Sequence, residues 1–273
     1  MKARSAAITE PAPEERATER PRHRLGHDLW PIVAGAAVFL LAWKGIVLLG
    51  GYPPFILPAP ETVAARLVRA WADGTMEPQA LATLEEIVLG FAVGAILALA
   101  TGMLLARSRL AERLLSPYIV AAQATPVLAL APLIALWFGT GLLSKVVICA
   151  LIVFFPVAVA TMVGIRTVDP GLLEMGRAFR ASRWQVLTRL EIPAALPSIL
   201  GGMRVGITLA VIGAVIGEWA GGDIGLGVLI NVARGSLFDI PLMFATLVTL
   251  AALGVALYLV VLLVERRLVG DRG

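Results

Sequence analysis

The stretch DPGLLEMGRAFRASRWQVLTRLEIPAALP, Asp169–Pro197, decides how the rest of the chain is read. It is the longest polar interruption between hydrophobic segments, and it is not built like an idle loop. Asp169 offers an N-cap oxygen, and Pro170 follows at the first helical position, where its missing N–H costs nothing. Leu172, Met175 and Phe179 then fall on one face of a helix. Ser182, with Gln185 three residues on, has the pattern of a capping box, so a second short helix starts near Arg183. Pro193 is expected to stop it, and Pro197 to mark the start of the next hydrophobic segment. The stretch reads as two short amphipathic helices, bent at Arg180–Ala181 and carrying Arg177, Arg180, Arg183 and Arg189. A plain solvated loop between membrane spans needs neither two helix starts nor an apolar stripe.

Working outward, the surroundings of this stretch are overwhelmingly apolar. Of 273 residues, 59% are hydrophobic and only 15% charged, with a mean hydropathy of +0.87. A soluble domain carries about a quarter charged residues. Six windows have the roughly 20 apolar residues that a bilayer-crossing helix takes. They lie near Leu29–Leu49, Ile87–Ala106, Pro117–Phe138, Leu142–Ile165, Leu196–Ala220 and Pro241–Val264. The fold class is therefore all-α: a polytopic membrane protein of six transmembrane helices with a two-helix loop over residues 169–197. Residues 1–28 are rich in Pro, Glu and Arg and read as a disordered tail ahead of a membrane domain over residues 29–273. The tail is too long and too acidic for a secretory signal, and the apolar run behind it is of spanning length. Its His23 and His27 have no carboxylate or cysteine companions and read as solvated. The single cysteine, Cys149, excludes an intrachain disulfide.

The pI near 9.7 raises the question of nucleic acid, but the basic residues are sorted by side. Counted on alternate sides of the six windows, 18 of the 23 Lys and Arg fall with the two tails, the short turn at Arg107–Arg113 and the two-helix loop with its flanks. The other side holds Lys44, Arg66, Arg69, Lys145 and Arg234. By the positive-inside rule both termini and residues 169–197 are cytoplasmic, and the basic balance reflects topology, with no nucleic-acid partner.

Several spans carry local signals. Gly90 and Gly94 are four apart, a spacing that lets helices approach closely. So are Gly202, Gly206 and Ala210, and again Gly213, Gly217, Gly221 and Gly225; whether the partner helix is in this chain or in a second copy is open. The third span is interrupted by Pro117, Gln123, Thr125, Pro126 and Pro132. Broken helices with polar residues at membrane depth persist only against protein or a water-filled cavity, so Gln123 and Thr125 are candidates for a translocation path; a proline kink packed against neighbours is the other reading. Glu218 near the outer end of the fifth span either faces the path or sits at headgroup level. Glu61–Ala72 is expected to be an amphipathic helix lying at the bilayer interface.

Catalytic chemistry is missing. The sequence has no HExxH, no Cys/His metal set and no Ser/His/Asp trio. Gly139–Lys145, GTGLLSK, lacks the second glycine of a phosphate loop and lies at an outer turn. The chain is expected to be no enzyme, with no cofactor and no metal. An ion-coupled carrier usually shows acids mid-span, and the windows contain none nearer the centre than Glu218. A self-contained secondary carrier or channel remains the alternative.

The run Glu174–Pro197 resembles the cytoplasmic "EAA" loop of importer permeases that work with an ATP-binding cassette. Within that group the chain is most similar to permeases for sulfonates, taurine, nitrate and thiamine-pathway pyrimidines. PPFILPAPETV (Pro53–Val63), ATPVLALAPLIALWFG (Ala124–Gly139), FFPVAVATMVGIRTVDP (Phe154–Pro170) and GEWAGGDIGLGVLI (Gly217–Ile230) extend the resemblance over roughly residues 30–267. It implies a permease homodimer in the inner membrane, two ATPase subunits beneath and a solute-binding protein outside. It implies that Glu174 is the motif glutamate and that Leu190, Ile192 and Pro193 close the motif. Met175 and Phe179 are then apolar anchors on the ATPase, and Glu174, Arg177 and Arg183 rim contacts. Met175 and Gly176 replace the usual alanine pair. Arg180 stands where the family has glycine, so either the bend is ordinary helical geometry or Arg180 is strained in the left-handed region and paired with an acid on the ATPase. The Gln123–Pro126 and Gly217–Gly222 runs lean towards pyrimidine or flavin vitamins over sulfonates.

Overall fold

The computed structural model describes residues 29–270. The expected tail over residues 1–28, with His23 and His27, lies outside the described residues. Regular structure among the described residues is helical throughout. Helix α1 (Leu29–Gly50) is an apolar helix of 22 residues. It belongs mostly to a unit ending at Ile46, and all later helices belong to a second unit beginning at Val47.

The second unit is organised around α6 (Leu142–Arg166), which packs between α3 (Met76–Arg107) and α9 (Ile192–Trp219). Glycine makes this three-helix sandwich possible. A Cβ on Gly94 or Gly102 of α3 would lie 2.7 Å and 2.6 Å from the backbone oxygens of Ala150 and Ala158. From the other side, a Cβ on Gly213 or Gly217 would lie 2.9 Å and 3.1 Å from the Cα atoms of Cys149 and Lys145. Gly90 and Gly213 thus clasp Cys149 from opposite faces. The partner of both small-residue ladders is α6 of the same chain. Close approach lets backbone and Cβ atoms gain dispersion contacts that lipid tails cannot match. Ile87, Val153, Val157, Ile207 and Ala214 fill the remaining core.

Three sequence expectations are corrected here. The second glycine ladder does not stay on one helix. Helix α9 ends at Trp219, and Gly221 (φ +154°) and Gly225 (φ +136°) belong to the turn beyond it. Gly221 therefore lies against Thr140, not on a helix–helix seam. Secondly, Pro193 does not stop the second short helix. Helix α8 (Arg183–Val186), a π turn (Leu187–Glu191) and α9 form a continuous helical run, Arg183–Trp219, 37 residues long. A proline lacks the N–H of the helical ladder and crowds the carbonyl one turn back. The wider π turn just before Pro193 takes up that misfit. Thirdly, the second span starts well before Ile87, because α3 begins at Met76 and has 32 residues. At 1.5 Å per residue it is longer than a 30 Å hydrocarbon layer requires, so its polar first turns are an extension of the span.

The third window is two helices, α4 (Arg109–Ala124) and α5 (Val127–Phe138), bent by 97° at Thr125–Pro126. Pro126 biases Thr125 to extended geometry, and Thr125 has ψ 124°. Among the described residues, five helices are long and apolar enough to cross a membrane, or six if this pair counts as one. Helix α2 (Pro60–Ala72) is held to protein as well as to any interface. Val63 and Ala70 are buried, and Arg66 pairs with Asp239 at 2.7 Å, just ahead of α11 (Ile240–Val269). Between α9 and α11 lies a further short helix, α10 (Leu226–Gly235).

Candidate functional site

Three places in the second unit have functional character. The first is the two-helix knob. Asp169 caps α7 (Pro170–Ala178) through a 2.8 Å bond from the Gly171 N–H. Ser182 and Gln185 close a reciprocal capping box at the start of α8. Between them the Arg180 N–H reaches the Arg177 carbonyl at 2.9 Å, and the Ala181 N–H reaches the Gly176 carbonyl at 3.0 Å. Those two bonds form a Schellman ending, whose geometry puts the residue after the cap in the left-handed region. That residue is Arg180, with φ +50°. The bend at Arg180 is therefore left-handed and not ordinary helical geometry. The left-handed conformation costs a non-glycine residue about 1–2 kcal/mol.

The knob's outer surface is apolar where water would favour polar groups. Phe179 is 80% exposed, Trp184 71% and Met175 47%. Glu174, Arg177 and Arg183 are exposed around them. Leu190 is turned inward: a Cβ on Gly176 would come within 2.8 Å of its Cδ1, so the glycine lets α7 settle on the π turn. Pro193 lies on the shaft of the long helix. Ion pairs tie this end together. Arg107 bonds Glu191 at 2.6 Å. Arg166 grips both oxygens of Glu112 at 2.6 and 2.7 Å and also reaches the Leu105 carbonyl. The sequence reading had Met175 and Phe179 but not Trp184; an aromatic two residues after a capping serine, on a four-residue helix with no core to serve, was the available signal.

The second place is a groove of about 680 Å³ at the break between α4 and α5. Gln123, Phe155, Pro156, Val159, Ser198 and Val205 are among its lining residues. Gln123 is one of the few polar residues on its wall. Thr125 sits at the corner itself, its hydroxyl bonded to the Ala121 carbonyl at 3.0 Å, and it is not among the groove's lining residues.

Glu218 is not in the groove. It belongs to the third place, a buried polar cluster beneath α10. Its side chain accepts from the Thr83 hydroxyl at 2.5 Å, from the Gly227 N–H and from the Val228 N–H at 3.3 Å. Thr83 in turn accepts from the Leu226 N–H at 2.8 Å, and Gln79 from the Gly225 N–H at 2.7 Å. Lys145 bonds Glu86 at 2.7 Å and the Ile224 carbonyl at 3.2 Å. Thr83, Glu86, Lys145 and Glu218 are all 4% exposed or less. Glu218 is thus buried in protein away from the groove beside Gln123, and Lys145 of the GTGLLSK run is engaged with a carboxylate. Sequence reading missed Gln79, Thr83, Glu86 and Lys145. Their signal was periodic: Gln79, Thr83, Glu86, Gly90 and Gly94 recur at helical spacing, which puts these polar groups on the same face as the packing glycines.

Comparison with known proteins places this geometry in context. Residues 90–270 match the family model described as "Binding-protein-dependent transport system inner membrane component". The riboflavin transport system permease protein RibX of Chloroflexus aurantiacus is 45% identical, over 88% of this chain and 90% of its own. The formylaminopyrimidine transport permease protein ThiX of Halalkalibacterium halodurans is 36% identical, over 74% and 80%. The taurine transport system permease protein TauC of Escherichia coli is 28% identical, over 88% and 91%. Among solved structures, the MetNI methionine ABC transporter in an inward-facing conformation aligns with a TM-score of 0.61 at 21% identity. That alignment covers 74% of this chain and 96% of the other, and it speaks for the fold.

Proposed function

This chain belongs to the family of binding-protein-dependent transport system inner membrane components, the permease subunits of ABC importers, and from that premise we propose how it works and what it carries. The knob of α7 and α8 docks in a groove on a cytoplasmic ATPase subunit. Phe179, Trp184 and Met175 are the buried anchors of that contact; Glu174, Arg177 and Arg183 form its rim. Interfaces take their strength from a few such aromatic anchors surrounded by near-neutral contacts. The exposure of three large apolar side chains on a doubly capped knob, helically continuous with α9, is the observation that carries the reading.

Two copies of the chain and two ATPase subunits make the working unit, with a solute-binding protein on the far side. Both termini and the knob are cytoplasmic, in keeping with the side on which the arginines collect. When the ATPase dimer closes on ATP, the knobs are carried together and each α8–α9 run turns with its knob. The two permeases rock about their shared interface, and the α4–α5 groove, facing its counterpart, opens to alternate sides. The nucleotide drives this only through contacts that differ between the two states, and those pass through the knob.

The cargo we propose is a flavin vitamin of the riboflavin class. Identity to the riboflavin permease exceeds that to the pyrimidine and taurine permeases, and the largely apolar groove beside Phe155 suits a planar ring system. The test is uptake of labelled riboflavin by vesicles holding the chain, its ATPase and its binding protein. ATP-dependent uptake that taurine and formylaminopyrimidine do not compete away supports the assignment; competition by either overturns it. In the same vesicles Phe179→Asp is expected to abolish uptake while the chain still inserts. Undiminished transport by that variant would refute the coupling role.

A further inference from the structure

The polar cluster beneath α10 does not balance if every group carries its usual charge. Glu86 and Glu218 bring two negative charges and Lys145 one positive, all within a pocket sealed from solvent. The groups facing them from neighbouring helices are the Thr83 hydroxyl on α3 and the Cys149 thiol on α6, and neither supplies a cation. A buried, unpaired charge is costly, and the usual remedy is neutralisation of one group.

The hydrogen bonds say which group. Glu218 is surrounded by donors: the Thr83 hydroxyl and the N–H groups of Gly227 and Val228. An ionised carboxylate is an acceptor only, and it suits that setting. Glu86 differs. Its Oε1 accepts from Lys145, whereas its buried Oε2 receives no hydrogen bond at all. An oxygen that no donor approaches is the natural place for a proton, since a protonated carboxyl becomes a donor itself. The Glu86 and Glu218 carboxyls are close enough in this pocket to act on one another.

We propose that this cluster is a proton-binding site, in which Glu86 carries one proton on Oε2 and donates it to ionised Glu218. The chain of contacts is then the Lys145 ammonium, neutral Glu86, anionic Glu218, and the N–H groups that open α10. The site is electrically neutral, and the Glu86 oxygen that lacked a partner gains one. Its work is positional. With Gln79, Thr83 and Lys145 it seizes the backbone of Ile224–Val228 from α3, α6 and α9 at once. The start of α10 is thereby fixed to all three helices of the central sandwich.

The experiment compares Glu86→Gln, Glu218→Gln and the native sequence as purified full-length chains in lipid nanodiscs at neutral pH. Infrared spectra are expected to show a protonated carboxyl C=O band, shifted in heavy water, in the native chain. That band is expected to be absent in Glu86→Gln. A glutamine at position 86 reproduces the proposed neutral acid, accepting from Lys145 and donating to Glu218, so this variant should melt with the native chain. A glutamine at 218 must aim an NH₂ group at existing donors, and this variant should melt several degrees lower. If Glu218→Gln fails to fold, the spectra and the melting of Glu86→Gln still decide. Absence of a carboxyl band that Glu86→Gln removes, or a Glu86→Gln chain that melts well below the native one, would overturn the assignment.

Discussion

Gly94→Ala adds one methyl group to the tightly packed α3–α6 seam, and its cost follows from the geometry. The new Cβ would stand 2.7 Å from the Ala150 carbonyl oxygen and 2.9 Å from the Ala150 Cα. Comfortable separation between carbon atoms is about 3.5–4.0 Å. Ala150 is in mid-α6, and α9 lies against the opposite face of that helix, so the backbone has nowhere to retreat. Helix α3 must move outward by roughly 0.5–1 Å, and a gap of that size forfeits about a quarter to a half of the dispersion energy at each separated pair. Overpacking of this kind costs about 1–3 kcal/mol, equivalent to about a 5- to 150-fold fall in the ratio of folded to unfolded chain. Gly201→Ala is the internal control: its nearest neighbour would be an arginine nitrogen 3.8 Å away. Both variants are to be melted in the same detergent and followed by tryptophan fluorescence. Gly94→Ala is expected to unfold well below the native chain and Gly201→Ala alongside it. Equal melting of the two alanine variants would mean that the α3–α6 seam has slack, and the argument from glycine spacing would be wrong.

Other expectations can be checked with similar means. Arg180→Gly removes a left-handed strain of about 1–2 kcal/mol and adds about 0.5–1 kcal/mol of backbone entropy cost, so a small net stabilisation is expected; a lower melting temperature would argue against the Schellman geometry. Gly225→Ala puts a Cβ into the Glu218 carboxylate at a positive φ, and limited proteolysis should find the α9–α10 turn opened. In vesicles with the ATPase, Trp184→Ala is expected to lower transport-coupled ATP hydrolysis by about the tenfold or more that loss of an aromatic hot spot brings. Unchanged hydrolysis would remove Trp184 from the contact.

The residues alone settled a good deal. Hydropathy and the length of the apolar windows set the class, since a bilayer demands about 20 apolar residues per crossing whatever the packing. The caps of α7 and α8 were legible for the same local reason: Asp169, Ser182 and Gln185 bond backbone within three residues of themselves. Gln123, Thr125 and Pro126 announced a broken span. What sequence could not yield were quantities set by partners distant in the chain. The left-handed turn at Arg180 was one of two possibilities until the Ala181 to Gly176 bond closed it. That Pro193 continues a helix depends on a π turn fitted beneath α7. The glycine ladders named their spacing but not their partner, because period identifies a face and only packing identifies what lies against it. Glu86, Lys145 and Glu218 stand 59 and 73 residues apart in turn, and no local pattern joins them. Tertiary structure brought them into one sealed pocket, where Coulomb attraction and desolvation, both functions of distance and burial, give them a joint role that no local pattern encodes.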